Sequence, residues 1–204
     1  MDDITTLGLD AMEIQTVRTV QPKNFDQYWQ AGILSWKSDL EMNLHGPYYA
    51  ELLGSRRERN RTLTKMEASM QAGKIVNARH LVYHVGPYGE YEPGAEANEQ
   101  VANIFAGVVD RVEQIWGDES EEEDYAAFPW VHDAKPSLVG IETSGRQDLW
   151  GTVEEVIDVC NHVEGTVPVL NIAHIHARGH GRICLLYTSP SPRDLSTSRM
   201  PSSA

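Results

Sequence analysis

Apolar positions along the chain fall into two rhythms. Short runs that are apolar almost throughout occur at 11–17 (AMEIQTV), 40–46 (LEMNLHG), 80–86 (HLVYHVG), 137–142 (SLVGIE) and 167–173 (VPVLNIA). Runs of this length with little polar alternation predict strands covered on both faces. The segments between them carry helical spacing, at 25–38, at 55–73 with Gly73 as its stop, and at 152–165. The clearest helix is marked by Val101, Ile104, Phe105, Val108, Val112, Ile115 and Trp116, which repeat at i, i+3, i+4 and i+7 before Gly117. Thr152 and Glu155 have the spacing of a capping box, and Gly165 marks the far end of that helix. The acidic stretch 118–124 (DESEEED) reads as a solvated loop.

Strands alternating with helices predict βαβ units and a parallel sheet, hence an α/β fold. Neither GxGxxG nor GxxxxGK[ST] follows any strand, which argues against the nucleotide-binding doubly wound folds. A (β/α) barrel fits better, although a closed one takes about eight strands and roughly 250 residues. The expected fold is therefore a partial (β/α) TIM barrel of about five parallel strands with covering helices, occupying residues 1–182. An open piece of this kind leaves sheet edges unpaired and is expected to be marginally stable or aggregation-prone unless a partner completes it. Residues 183–204 are dense in Ser and Pro without apolar period and read as a disordered or artefactual tail.

Composition narrows the class. The chain has 204 residues, 41% hydrophobic and 23% charged, as in a soluble globular domain. No apolar run approaches the ~20 residues that span a bilayer. The acidic start MDDITTLGLD is unlike a signal peptide, so the expected location is cytoplasmic. Two cysteines are too few for a disulfide framework. The formal net charge of −13 disfavours nucleic acid unless the working salt is high or charge is segregated.

Candidate chemistry lies at the strand ends. The second strand closes on His45, the third on His84 and the fourth on Glu142, while the fifth carries Asn171 and His174. In a parallel barrel these ends share one rim, where active sites sit. Imidazole and carboxylate are the usual non-thiol ligands of zinc. A lone histidine is more often structural than ligating, so the case rests on successive strand ends carrying ligand-type residues. His80, His132 and His162 read as structural; His176 and His180 lie just past the fifth strand, within reach of a substrate or simply solvated.

At these residues the sequence resembles the endonuclease IV family of apurinic/apyrimidinic endonucleases, within the xylose-isomerase-like TIM barrels. The matching motifs are MEIQTVR (12–18), HGPYY (45–49), HVGPYG (84–89), GIETSG (140–145) and NIAHIHARG (171–179), the last most similar to archaeal members. The resemblance implies a zinc-dependent DNA-repair phosphodiesterase with three zincs, cutting 5′ to abasic sites. It implies that His45 and His84 hold the first zinc and that Glu142, the catalytic carboxylate, bridges first and second. Asn171 would serve the second and His174 the third. The family carries Asp where Asn171 stands, and a neutral amide is a poorer ligand. Its remaining ligands would follow residue 182, so the chain is expected to be an inactive fragment of such an enzyme. DNA contacts are expected from Arg56 and Arg57 in the cluster RRERNR (56–61), whose alternative reading is a solvated helix start, and from Arg178 and His176 nearer the rim. Two other functions compete. A sugar isomerase or epimerase of the same superfamily would need a second acid/base beside Glu142. A non-catalytic remnant would need neither. Oligomeric state is left open by the sequence.

Overall fold

A computed structural model describes residues 6–21, 24–117 and 135–181. Strands β1 (Ala11–Gln15), β2 (Glu41–His45), β3 (Ala78–Tyr83), β4 (Leu138–Glu142) and β5 (Thr166–Val169) form one sheet in sequential order. Every neighbouring pair is parallel. Helices α1 (Phe25–Lys37), α2 (Arg56–Ile75), α3 (Ala95–Gly117) and α4 (Val153–His162) connect the strands, and α5 (Ile172–Arg178) follows β5. The architecture is a partial (β/α) TIM barrel. The expected loop at 118–124, His132 and the tail from 183 lie outside the described residues. Among the described residues, no helix is long and apolar enough to cross a membrane.

The core lies between the sheet and its helices. Leu44, Leu81, Val139 and Ile141 are fully buried on the strands. The stripe Val101, Phe105, Val108, Val112 and Ile115 of α3 meets them from the helix layer. Burial of each such side chain stabilises the fold by roughly 1.5–3 kcal/mol, which outweighs the weak intrinsic preference of any single helix position. Both expected capping residues of α4 are in place: Thr152 Oγ1 accepts from Glu155 N at 3.1 Å, and the Glu155 carboxylate accepts from Thr152 N at 2.9 Å.

Two of the boundaries that move have a clear physical cause. Helix α2 runs through Gly73 to Ile75, because this glycine serves packing rather than termination. A Cβ at Gly73 would lie 2.5 Å from Leu81 Cδ2, so its absence lets α2 approach β3 closely. The last strand is also shorter than its apolar run: β5 stops at Val169, and Asn171 begins a helix. Leu170 and Ile172 are thus half-exposed rather than strand core.

Replacing Leu81 by Ala is expected to destabilise the fold by about 3 kcal/mol through lost burial and a residual cavity. Thr152→Ala should cost about 1 kcal/mol through loss of the cap. Urea unfolding midpoints at unchanged slope would give both values.

Candidate metal centre

Strand register brings the rim together. Gln15 is aligned with His45, His45 with Val82, Tyr83 with Ile141, and Glu142 with Val169. His84, one residue past β3, therefore lies beside Glu142. The loops that follow are set by close backbone contact. Gly46 N donates to Val82 O at 2.8 Å, and Leu52 N to Val85 O at 3.0 Å. Gly86 has φ +95°, and a Cβ there would lie 1.9 Å from Ala50 O, so only glycine lets the two loops meet.

Three of the expected ligands converge. One ligand atom each from His45, His84 and Glu142 lie within 4.8 Å of one another, and all three residues are buried. His45 Nδ1 donates to Gly46 O at 2.9 Å, which turns Nε2 toward Glu142 Oε2 at 2.7 Å. His84 Nε2 is 3.5 Å from the same oxygen. Both ring nitrogens of His84 are buried without a hydrogen-bond partner. Unpaired buried polar atoms are costly, and a cation coordinated by one of them would remove part of that cost. The donor set of two imidazoles and a carboxylate suits a divalent ion, and the orphaned His84 shows that these residues fit one.

The electrostatics are those of a buried anion held by imidazoles. Burial pushes the Glu142 pKa up, but hydrogen bonds from His45 and Asn171 and the charge of the histidines reverse this and bring it to about 2. Burial opposes a charge on His45. The hydrogen bonds to Glu142 and Gly46, with the charges of Glu142 and Glu13, outweigh it and raise its pKa above 6.5. With Nδ1–H on a carbonyl and Nε2 on a carboxylate, His45 carries both protons. Burial drives His84 the other way, to about 4, against the pull of Glu142 and with the push of His45 and His174. The two neighbouring imidazoles are thus shifted in opposite directions.

The other two expected ligands enter through Glu142. Asn171 Nδ2 donates to Glu142 Oε1 at 2.8 Å, while Asn171 Oδ1 accepts from His174 N at 3.1 Å as the cap of α5. The amide oxygen that the resemblance offers to a second ion is engaged by the helix end. His174 Nδ1 donates to Thr143 O at 2.8 Å and lies 3.3 Å from Glu142 Oε1. The fifth strand therefore does not present these residues itself; the first turn of α5 does.

The expected DNA contacts separate. Arg56 and Arg57 are exposed in the first turn of α2 and line neither cavity described below. His176 is exposed on α5. The Arg178 guanidinium donates to Arg146 O and, at 2.8 Å, to Leu149 O, and Tyr88 Oη lies 3.5 Å away. Gln147 Nε2 donates back to Arg178 O at 3.2 Å. Because α5 has no buried residue, this polar clasp and Asn171 hold the helix that carries His174.

The cluster opens into a cavity of about 360 Å³ lined by Glu13, Gln15, His45, His84, Glu142 and His174, among others. Glu13 is the residue that strand-end reasoning misses. It lies in mid-strand on β1, and the signal available was a carboxylate between the apolar residues Met12 and Ile14. A second cavity of about 540 Å³ adjoins the first and shares Tyr48, His84 and His174 with it.

The fold is similar to that of solved structures that include both a nuclease and sugar epimerases. No protein-family model matches the sequence, and neither does any curated protein. Solved structures match at low identity. The IolI protein with a bound zinc atom is 15% identical with a TM-score of 0.65, over 87% of this chain and 58% of that one. A D-tagatose 3-epimerase-like protein is 17% identical at 0.60, over 85% and 60%. Endonuclease IV from Thermus thermophilus is 16% identical at 0.58, over 98% and 67%. The chain thus spans about three fifths of the first two.

Loading a divalent ion should displace the His45 proton. Affinity should therefore rise with pH through the raised pKa of His45 and level off above it, with one proton released per ion below it. Calorimetric titration in buffers of different ionisation enthalpy would measure the release, and His45→Asn should abolish it. Arg178→Gln should speed amide hydrogen exchange across 172–180 while barely moving Tm, since α5 contributes no buried side chain.

Proposed function

We propose that this chain carries the metal-binding rim of a zinc-dependent DNA-repair endonuclease that hydrolyses the phosphodiester 5′ to abasic sites. The observation that carries the reading is the convergence of His45, His84 and Glu142 at neighbouring strand ends, with His174 joined to the same carboxylate. Endonuclease IV from Thermus thermophilus shares the fold over nearly the whole chain. The described strands supply part of the ligand set the reading calls for.

His45 and His84 would hold the first ion, Glu142 would serve the first and the second, and His174 would hold a third. A divalent ion there supplies Lewis-acid polarisation and a water acidic enough to ionise near neutral pH. Glu142 would supply the compensating negative charge. Asn171 fixes the rotation of that carboxylate through Oε1. Thr143 O holds His174 in a single tautomer, as a backbone carbonyl behind a ligating histidine commonly does. His45 would give up its Nε2 proton to hold an ion.

One observation favours a second reading. Proton transfer at carbon needs two acid/base groups on one cavity. Glu13 faces the cavity that also holds Glu142, and epimerases share the fold. On this reading the chain is part of a sugar epimerase and Glu13 is one of the proton-transfer pair.

Incision of an abasic duplex by the zinc-loaded, complete barrel separates the two. The nuclease reading expects activity that a chelator removes, that Glu142→Gln lowers by about 10²-fold or more, and that Glu13→Gln leaves nearly unchanged. Solvent deuterium entering a ketose, lost in Glu13→Gln, with intact abasic DNA would replace it by the epimerase reading.

A further inference from the structure

We infer that the cavity beside the metal cluster is a subsite for a non-reacting phosphate group of the substrate, gripped by Arg61, Lys65 and Arg146. The inference rests on the reading that the His45–His84–Glu142 cluster is the reaction centre.

The cavity lies between α2, the loop after β2 and the loop after β4, and it reaches the cluster through His84 and His174. Arg61 and Lys65 are four residues apart on α2, so they project from one helix face. Arg146 comes from the loop after β4. On a chain of net charge −13, three cations converge here against one lining carboxylate, Glu51. Glu51 pairs with Arg61 at 2.5 Å, and Arg146 pairs with Asp148 at 2.5 Å. Lys65 is half-buried and has no hydrogen-bond or ion-pair partner among the described residues. The two arginines keep donors beyond those bonds, because a guanidinium has five. A phosphate has acceptor oxygens for all three residues, and Arg and Lys groups are the usual means of holding one.

The aromatic side chains give the ligand a direction. The Tyr49 and Tyr48 rings are 5.3 Å apart, and the Tyr48 and His84 rings 5.2 Å. Both tyrosines are strongly exposed. Exposed rings give a sugar or base a flat surface to lie on. A ligand anchored by its phosphate at Lys65 would run along these rings to the metal cluster.

The test titrates the full chain, with and without zinc, with inorganic phosphate, thymidine 5′-monophosphate and thymidine. Phosphate-bearing probes should bind, and Lys65→Gln and Arg61→Gln should each weaken them about tenfold while leaving thymidine unchanged. Tyr49→Ala should weaken thymidine and the nucleotide and spare inorganic phosphate. Lys135→Gln, at the opposite end of the sheet, should change nothing, and circular dichroism should confirm that each variant is folded. Phosphate binding that needs zinc and ignores Lys65 would overturn the inference, since the anion would then sit on the metal. Absence of binding by every phosphate probe would overturn it as well. Lys65-dependent binding in a chain that takes up no zinc would support the subsite and defeat the reaction-centre reading instead. A short single-stranded DNA and a ketose phosphate, compared in the same assay, identify the source of the phosphate by which one shows the larger Lys65 dependence.

Discussion

The buried carboxylate of Glu142 is the constraint around which the rim is arranged. A lone carboxylate placed at the end of an apolar strand would be too costly to ionise. This one stays ionised because four side chains surround it. His45 and Asn171 bond to its two oxygens, and His84 and His174 stand within 3.5 Å. Those four come from β2, the end of β3 and α5, so the carboxylate ties together elements distant in sequence. Its lowered pKa makes this contribution to stability present above about pH 4.5 and lost as pH falls toward 2.

The scaffold makes that arrangement reproducible. Parallel register fixes the height of each strand end to within a residue, and the tight loops at Gly46 and Gly86 bring the post-strand segments against one another. Side chains mounted this way need little further ordering to bind an ion. The contrast with α5 is physical. The strand ends are backed by fully buried Leu44, Leu81 and Ile141, whereas α5 has no fully buried residue and is held mainly by polar contacts. The cluster thus combines three rigid donors with a fourth whose position depends on surface polar contacts.

Much of this was legible in the residues. Apolar runs and helical periods give the five strands and four of the helices, and ligand-type residues at successive strand ends give His45, His84 and Glu142. What was not legible depended on contacts across the chain. Gly73 reads as a stop because sequence cannot show that Leu81 needs the room of its missing side chain. The run through Leu170 and Ile172 reads as strand because both residues are apolar, yet Asn171 between them caps a helix. Arg178 stands out by its charge alone, and sequence cannot show that its guanidinium also bonds the carbonyls of Arg146 and Leu149. Glu13 is passed over because it ends no strand.

The double role of Asn171 carries a further consequence. Its amide supplies a donor to Glu142 and an acceptor to the α5 backbone at once. An aspartate could still cap the helix, but it would set an acceptor against Glu142 Oε1 across the 2.8 Å now bridged by Nδ2–H. Two facing anions would be tolerable only with a cation or a shared proton between them. The amide therefore shields the rim from self-repulsion and keeps it assembled ahead of any ion, and in exchange it gives up one unit of the charge that would draw a second ion in.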